Sequence, residues 1–180
     1  MLDAILNAGS LKPADIETKY MTVNRHREAY NSKQVDALIT FEPVKTQLES
    51  DGAHQLFDSS QIPGRIIDVL AVLPGVFEKS PGNLRKLVAS HFKARSYFLA
   101  NQSMASEVIS KRLQLDPAEV PGAYEGIELP DVARNHGWMD GTNSKLSQSA
   151  KQLMEIMQRA QLLSGNVDIE KLVNNSFLPK

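Results

Sequence analysis

Glu42 stands where an apolar run, Val35-Asp36-Ala37-Leu38-Ile39-Thr40-Phe41, gives way to Pro43. A run so short and apolar predicts a strand buried on both faces, as in a parallel sheet. Proline has no N–H to donate and a φ already suited to a first helical turn. Pro43 therefore predicts a helix over Val44 to Ser50 with Glu42 at or near its cap. A carboxylate at a strand's carboxyl end beside a helix N-terminus is well placed to meet a ligand; as a plain cap it contributes under about 1 kcal/mol through the helix dipole. Asp58, Ser59 and Ser60 follow a second extended stretch, His54-Gln55-Leu56-Phe57, and supply one acceptor and two hydroxyls, although a polar turn needs no function. Open α/β sheets place their ligands at such strand ends. Ionised together, Glu42 and Asp58 favour a ligand with an amine or other hydrogen-bond donors. An anion would want helix N-termini and an arginine instead.

The elements that must position these residues follow from hydrophobic period and punctuation. Gly52 ends the helix after Pro43, and Ile66-Ile67-Asp68-Val69-Leu70-Ala71-Val72 predicts a second buried strand. Before the central stretch, Leu2 to Ala8 predicts a helix stopped by Gly9, Ile16 to Met21 an edge strand, and Arg25 to Lys33 a short polar helix. After Val72 the character turns helical: Asn83 to Ala100, Ser103 to Leu113, a short helix opened by Asp116-Pro117, and a clean amphipathic helix capped by Ser144 with Leu146, Ala150, Leu153 and Met157 on one stripe. Tyr124 to Asp140 reads as irregular, Asp168 to Val173 as a short helix, and Phe177-Leu178 as docking on the body. Strands confined to the first part are few for an open α/β sheet of this mass. The expectation is that an N-terminal portion is missing.

The bulk numbers narrow the function classes. At 180 residues, 42% hydrophobic and 23% charged, the chain has an ordinary globular composition for one or two domains. A net charge of -1 argues against nucleic acid, and the one basic stretch, Lys86 to Arg95, reads as a solvated helix face. With no cysteine, disulfides, thiolate metal sites and thiol nucleophiles are excluded together. His26, His54, His91 and His136 show no metal-ligand spacing, and neither a metal nor a cofactor is expected. No run has the length of a membrane span, and the N-terminus lacks the layout of a secretion signal.

Several short pieces, in order, carry a resemblance: Leu11-Lys12-Pro13-Ala14-Asp15-Ile16, Val35-Asp36-Ala37, Phe41-Glu42-Pro43, Gly52-Ala53 before Leu56-Phe57-Asp58-Ser59-Ser60, and Ile62-Pro63-Gly64-Arg65-Ile66-Ile67-Asp68-Val69-Leu70. Through them Gly9 to Val72 resembles the periplasmic solute-binding proteins of the nitrate/sulfonate/taurine group that serve ATP-driven (ABC) importers. Asn83 to Lys180 is similar by pattern. The resemblance implies an α/β fold, here a partial two-lobe type II-like periplasmic-binding-protein fold with a helix-rich C-terminal half. Residues 1–62 would be part of the second lobe, and 63–180 the hinge return and the C-terminal helical part of the first, with the crossing near Gln61 to Arg65 and Arg65 paired with Asp68. One departure is Lys33-Gln34, where the family commonly has glycine.

The implied function is binding without catalysis: capture of a small polar solute between lobes, with Glu42, Asp58, Ser59 and Ser60 as ligand contacts. The implied partner is a permease in the inner membrane and the implied location is the periplasm, with any export signal outside this sequence. A sensor or interaction module built on the same half-fold is the alternative, and a homodimer of the truncated chain is a further partner expectation. A thiamin-pyrimidine-synthase-like enzyme would need the cysteines this chain lacks.

Overall fold

Helices begin and end in this chain where glycine, proline and side-chain caps dictate. The computed structural model describes residues 1–165 and 167–180. Helix α1 (Leu2–Ala8) stops at Gly9, α2 (His26–Asn31) follows a short 3-10 turn over Val23–Arg25, and α3 (Val44–Ser50) starts directly after Pro43. Past α3 the chain turns at Gly52, whose φ of 96° is open to glycine without strain. Prolines lead α4 (Pro74–Lys79) and α5 (Pro81–Ala100). Helix α6 (Gln102–Leu113) ends on Gln114 in the left-handed region, and Pro121 lies in the first turn of α7 (Val120–Ala123). Asp131 caps α8 (Val132–Met139) by accepting from Arg134 N at 2.7 Å, and Ser144 Oγ accepts from Ser147 N at 3.1 Å to cap α9 (Lys145–Arg159).

Val35 to Phe41, His54 to Phe57, Ile66 to Val72 and Ile16 to Met21 were read from their patterns as strands, and none is one. A strand exists only as a member of a hydrogen-bonded ladder. Among the described residues, no backbone group from Val35 to Thr40 or from Ile66 to Val72 bonds to another backbone group. The described residues form helices joined by irregular segments, several of them strongly apolar, which fits the helix-rich partial fold that the resemblance implies, while a full α/β fold is not shown. Helices α4 and α8 were not anticipated, because their glycines and prolines read as turn signals.

The chain divides into two compact units. Met1–Pro63 with Asn101–Ile127 make one, and Gly64–Ala100 with Glu128–Lys180 the other. In the first unit α2 packs on α3 and α6 on α7. Its buried apolar residues are Leu6, Ala29, Val44, Leu48, Ala105, Ala123 and the fully enclosed Val120. In the second, α4 packs on α5 and α8 on α9, and Leu84, Phe92 and Phe98 of α5 are buried. Its C-terminal segment is docked as expected: the Phe177 ring lies 5.5 Å from that of Phe77 and under the Arg85 guanidinium, and His136 Nε2 is 3.0 Å from Pro179 O.

Much apolar surface remains outside. The chain exposes 13464 Å², whereas two separate compact bodies, each of half its mass, would expose about 10,400 Å². The surplus includes the unpaired runs, with Phe41 64%, Leu56 87% and Leu70 60% exposed.

Candidate functional site

The segment ahead of α3 is anchored from inside the first unit. His26 is buried on α2, with Nδ1 3.1 Å from Thr40 Oγ1 and Nε2 3.4 Å from Met21 O. That holds Thr40, and so sets where Glu42 emerges. The Glu42 carboxylate folds back over the first turn of α3. Its Oε2 accepts from Thr46 N at 3.2 Å and Thr46 Oγ1 at 2.8 Å, while Oε1 lies 3.5 Å from Lys45 Nζ.

Lys45 also reaches Glu49 at 3.2 Å. Partial burial works against its charge, but hydrogen bonds and attraction from Glu49 and Glu42 outweigh that and raise its pKa. Its charge also helps to lower the pKa of Asp58. The larger causes at Asp58 are local. It accepts from the Ser60 hydroxyl, from Ser60 N at 2.8 Å and from Gln55 Nε2 at 2.9 Å, so the carboxylate is kept ionised over the 3-10 turn Ser59–Gln61.

Lys45 thus pairs with Glu42 and Glu49, while its charge is the smallest of the influences that lower the pKa of Asp58. Ser60 is spent on Asp58, while the Ser59 side chain is exposed and makes no hydrogen bond among the described residues. Lys45 was missed in the sequence, although its i,i+3 and i,i+4 spacing to Glu42 and Glu49 on one helix was a legible signal. Arg65 and Asp68 lie in an irregular segment and form no ion pair among the described residues. No group of histidine, aspartate and glutamate able to hold a metal occurs among the described residues. No helix is long and apolar enough to cross a membrane among them.

The first unit also holds a cavity of about 380 Å³ between the starts of α2 and α3 and the end of α6. None of Glu42, Asp58, Ser59 or Ser60 lines it.

Compared with known protein families, residues 1–113 match the NMT1-like family, which is more than half of the 180-residue chain. The chain belongs to the NMT1-like family. No curated protein and no solved structure matches it. The family is one of solute-binding proteins of the nitrate/sulfonate/taurine type, in agreement with the resemblance carried by Gly9 to Val72. In this NMT1-like chain the match ends at Leu113, the last residue of α6, so the whole Glu42, Lys45 and Asp58 group lies inside it.

Proposed function

We propose that this chain is part of the solute receptor of an ABC importer and takes up a small polar molecule against Glu42, Asp58, Ser59 and Ser60. The single observation behind this reading is the family match, which spans both acceptor-bearing turns. In the proposal residues 1–62 belong to the second lobe, and 63–180 return through the hinge to the first. Lobe closure is then selected by the solute's higher affinity for the closed form. Two carboxylates, Glu42 and Glu49, pair with one ammonium, Lys45, and the ionised Asp58 adds a further negative charge, which favours a solute that brings an ammonium or other N–H donors.

The unpaired apolar runs support a further part of the reading. Val35 to Phe41 and Ile66 to Val72 become strands when other strands, supplied from outside these 180 residues, give them a ladder. A surplus of roughly 3,000 Å² over two compact bodies is in the range of obligate interfaces. A second copy of the chain is the competing source, and native mass spectrometry of the purified chain separates a homodimer from a monomer that awaits a different partner. The assembled receptor works in the periplasm and docks to a membrane permease, without catalysis of its own.

Solute uptake in cells lacking the gene tests this. Taurine and other amine-bearing solutes, with nitrate as the anionic comparison, form the panel. The expected result is loss of uptake of one amine-bearing solute, restored by the gene and not by the Glu42→Ala, Asp58→Ala double variant. Unchanged uptake across the panel, or equal restoration by the variant, counts against the proposal.

A further inference from the structure

The cavity in the first unit is lined by apolar residues, amide side chains and two arginines. Val23, Pro43, Val44 and Leu113 are its apolar lining residues, and Asn24, Gln47 and Gln114 its amide-bearing ones. Two arginines line it, Arg27 and Arg112, and no acidic residue does. They are differently placed. Arg27 gives Nε and Nη2 to Asp51, at 2.6 and 2.7 Å, so its charge is matched and only its Nη1 edge stays open among the described residues. Arg112 has no ion-pair or hydrogen-bond partner among the described residues. Its place in the last turn of α6 complements the carbonyl end of that helix, which accounts for a cation there. Arg112 is an exposed residue that lines the cavity with no acidic residue in the lining.

We infer that this cavity binds a small organic monocarboxylate with a short apolar body, its carboxylate on the Arg112 fork and its body over Val23, Val44 and Leu113. The volume is within the range of small-molecule sites, and a planar guanidinium matches a carboxylate with two parallel hydrogen bonds. The rim charge is one unit positive once Arg27 and Asp51 cancel, so a monoanion balances it and a cation does not. The inference does not rest on the importer reading: it uses other residues and the opposite ligand charge.

The test is fluorine NMR titration of the full 180-residue chain with 4-fluorobenzoate, and with 4-fluorobenzamide as a neutral probe of the same shape. The expected result is 4-fluorobenzoate binding at a dissociation constant of about 1 mM or tighter, with the amide at least about tenfold weaker. Arg112→Gln should lose at least about tenfold for the acid, Arg112→Lys should retain part of it, and thermal unfolding should match the parent for both. Equal binding of acid and amide, binding unmoved by Arg112→Gln, or no binding of the acid up to about 10 mM each overturn the inference. The importer reading is tested by solute uptake through Glu42 and Asp58, neither of which lines this cavity, so a failure here and a failure of that reading are told apart.

Discussion

Arg27 and Asp51, 24 residues apart, meet where α2 runs past the end of α3: Nε donates to Oδ2 at 2.6 Å and Nη2 to Oδ1 at 2.7 Å. Hydrogen bonds from the guanidinium, and secondarily from Asn31, hold the Asp51 carboxyl down to about 2 from its ordinary 3.8. Its contribution to stability is therefore fully present above the unfolded value and is lost as pH falls from about 4 through about 2. Urea unfolding of wild type and Asp51→Asn should differ near pH 7 and converge at about pH 2. The pair is exposed, so the difference should be small. A difference that does not change with pH would mean that packing rather than charge carries it.

His26 ties two irregular segments to α2, so its loss should cost more than a surface change. His26→Ala should lower the unfolding free energy by about 2–3 kcal/mol and Thr40→Val by about 1 kcal/mol, read from urea midpoints. If the two act through one hydrogen bond, the double variant loses less than both single losses together. Full additivity would place Thr40 outside the anchor.

Ser144 is buried and bonds both the N–H and the hydroxyl of Ser147. Ser144→Ala should destabilise the second unit by about 1 kcal/mol, and Ser144→Asp, which keeps a capping acceptor, should recover part of this. Denaturation followed by helix circular dichroism checks both.

Glu42 and Lys45 should act in opposite directions on a solute that brings an ammonium. In the complete receptor, Glu42→Ala should weaken binding more than about tenfold, or about 1.4 kcal/mol, and Lys45→Met should strengthen it. Calorimetric titration reads both. If Glu42→Ala leaves the titration unchanged, Glu42 only caps α3.

Helices α1, α3 and α9 were legible because each rests on local chemistry. Pro43 and Gly52 bracketed α3 to the residue, Ser144 marked the cap of α9, and Gly9 the end of α1. The strands were not, because an apolar run states what a segment can bury and not whether a partner is there to bury it; Ile66 to Val72 has no ladder. Helix α8 was hidden by Gly137 and by Pro130 just before its Asp131 cap, a pattern that reads equally well as a loop. On α9, Leu153 lies on the expected stripe and is 47% exposed, since a 3.6-residue period fixes a face but not how much of it is covered. At the site, Glu42 and Asp58 were found from strand ends and turns. The cavity that Arg27 and Arg112 both line needed the fold, because sequence distance hides such meetings.

Amide hydrogen exchange at Val35 to Thr40 and Ile66 to Val72 tests most directly the claim that these runs are strands awaiting a partner. It is measured on the isolated chain and on the assembly purified from its own cells. Exchange near unprotected rates in the isolated chain, with strong protection in the assembly, is the expected result. Strong protection of both runs in the isolated monomer would contradict it, because the chain would then carry a self-sufficient sheet and need nothing from outside.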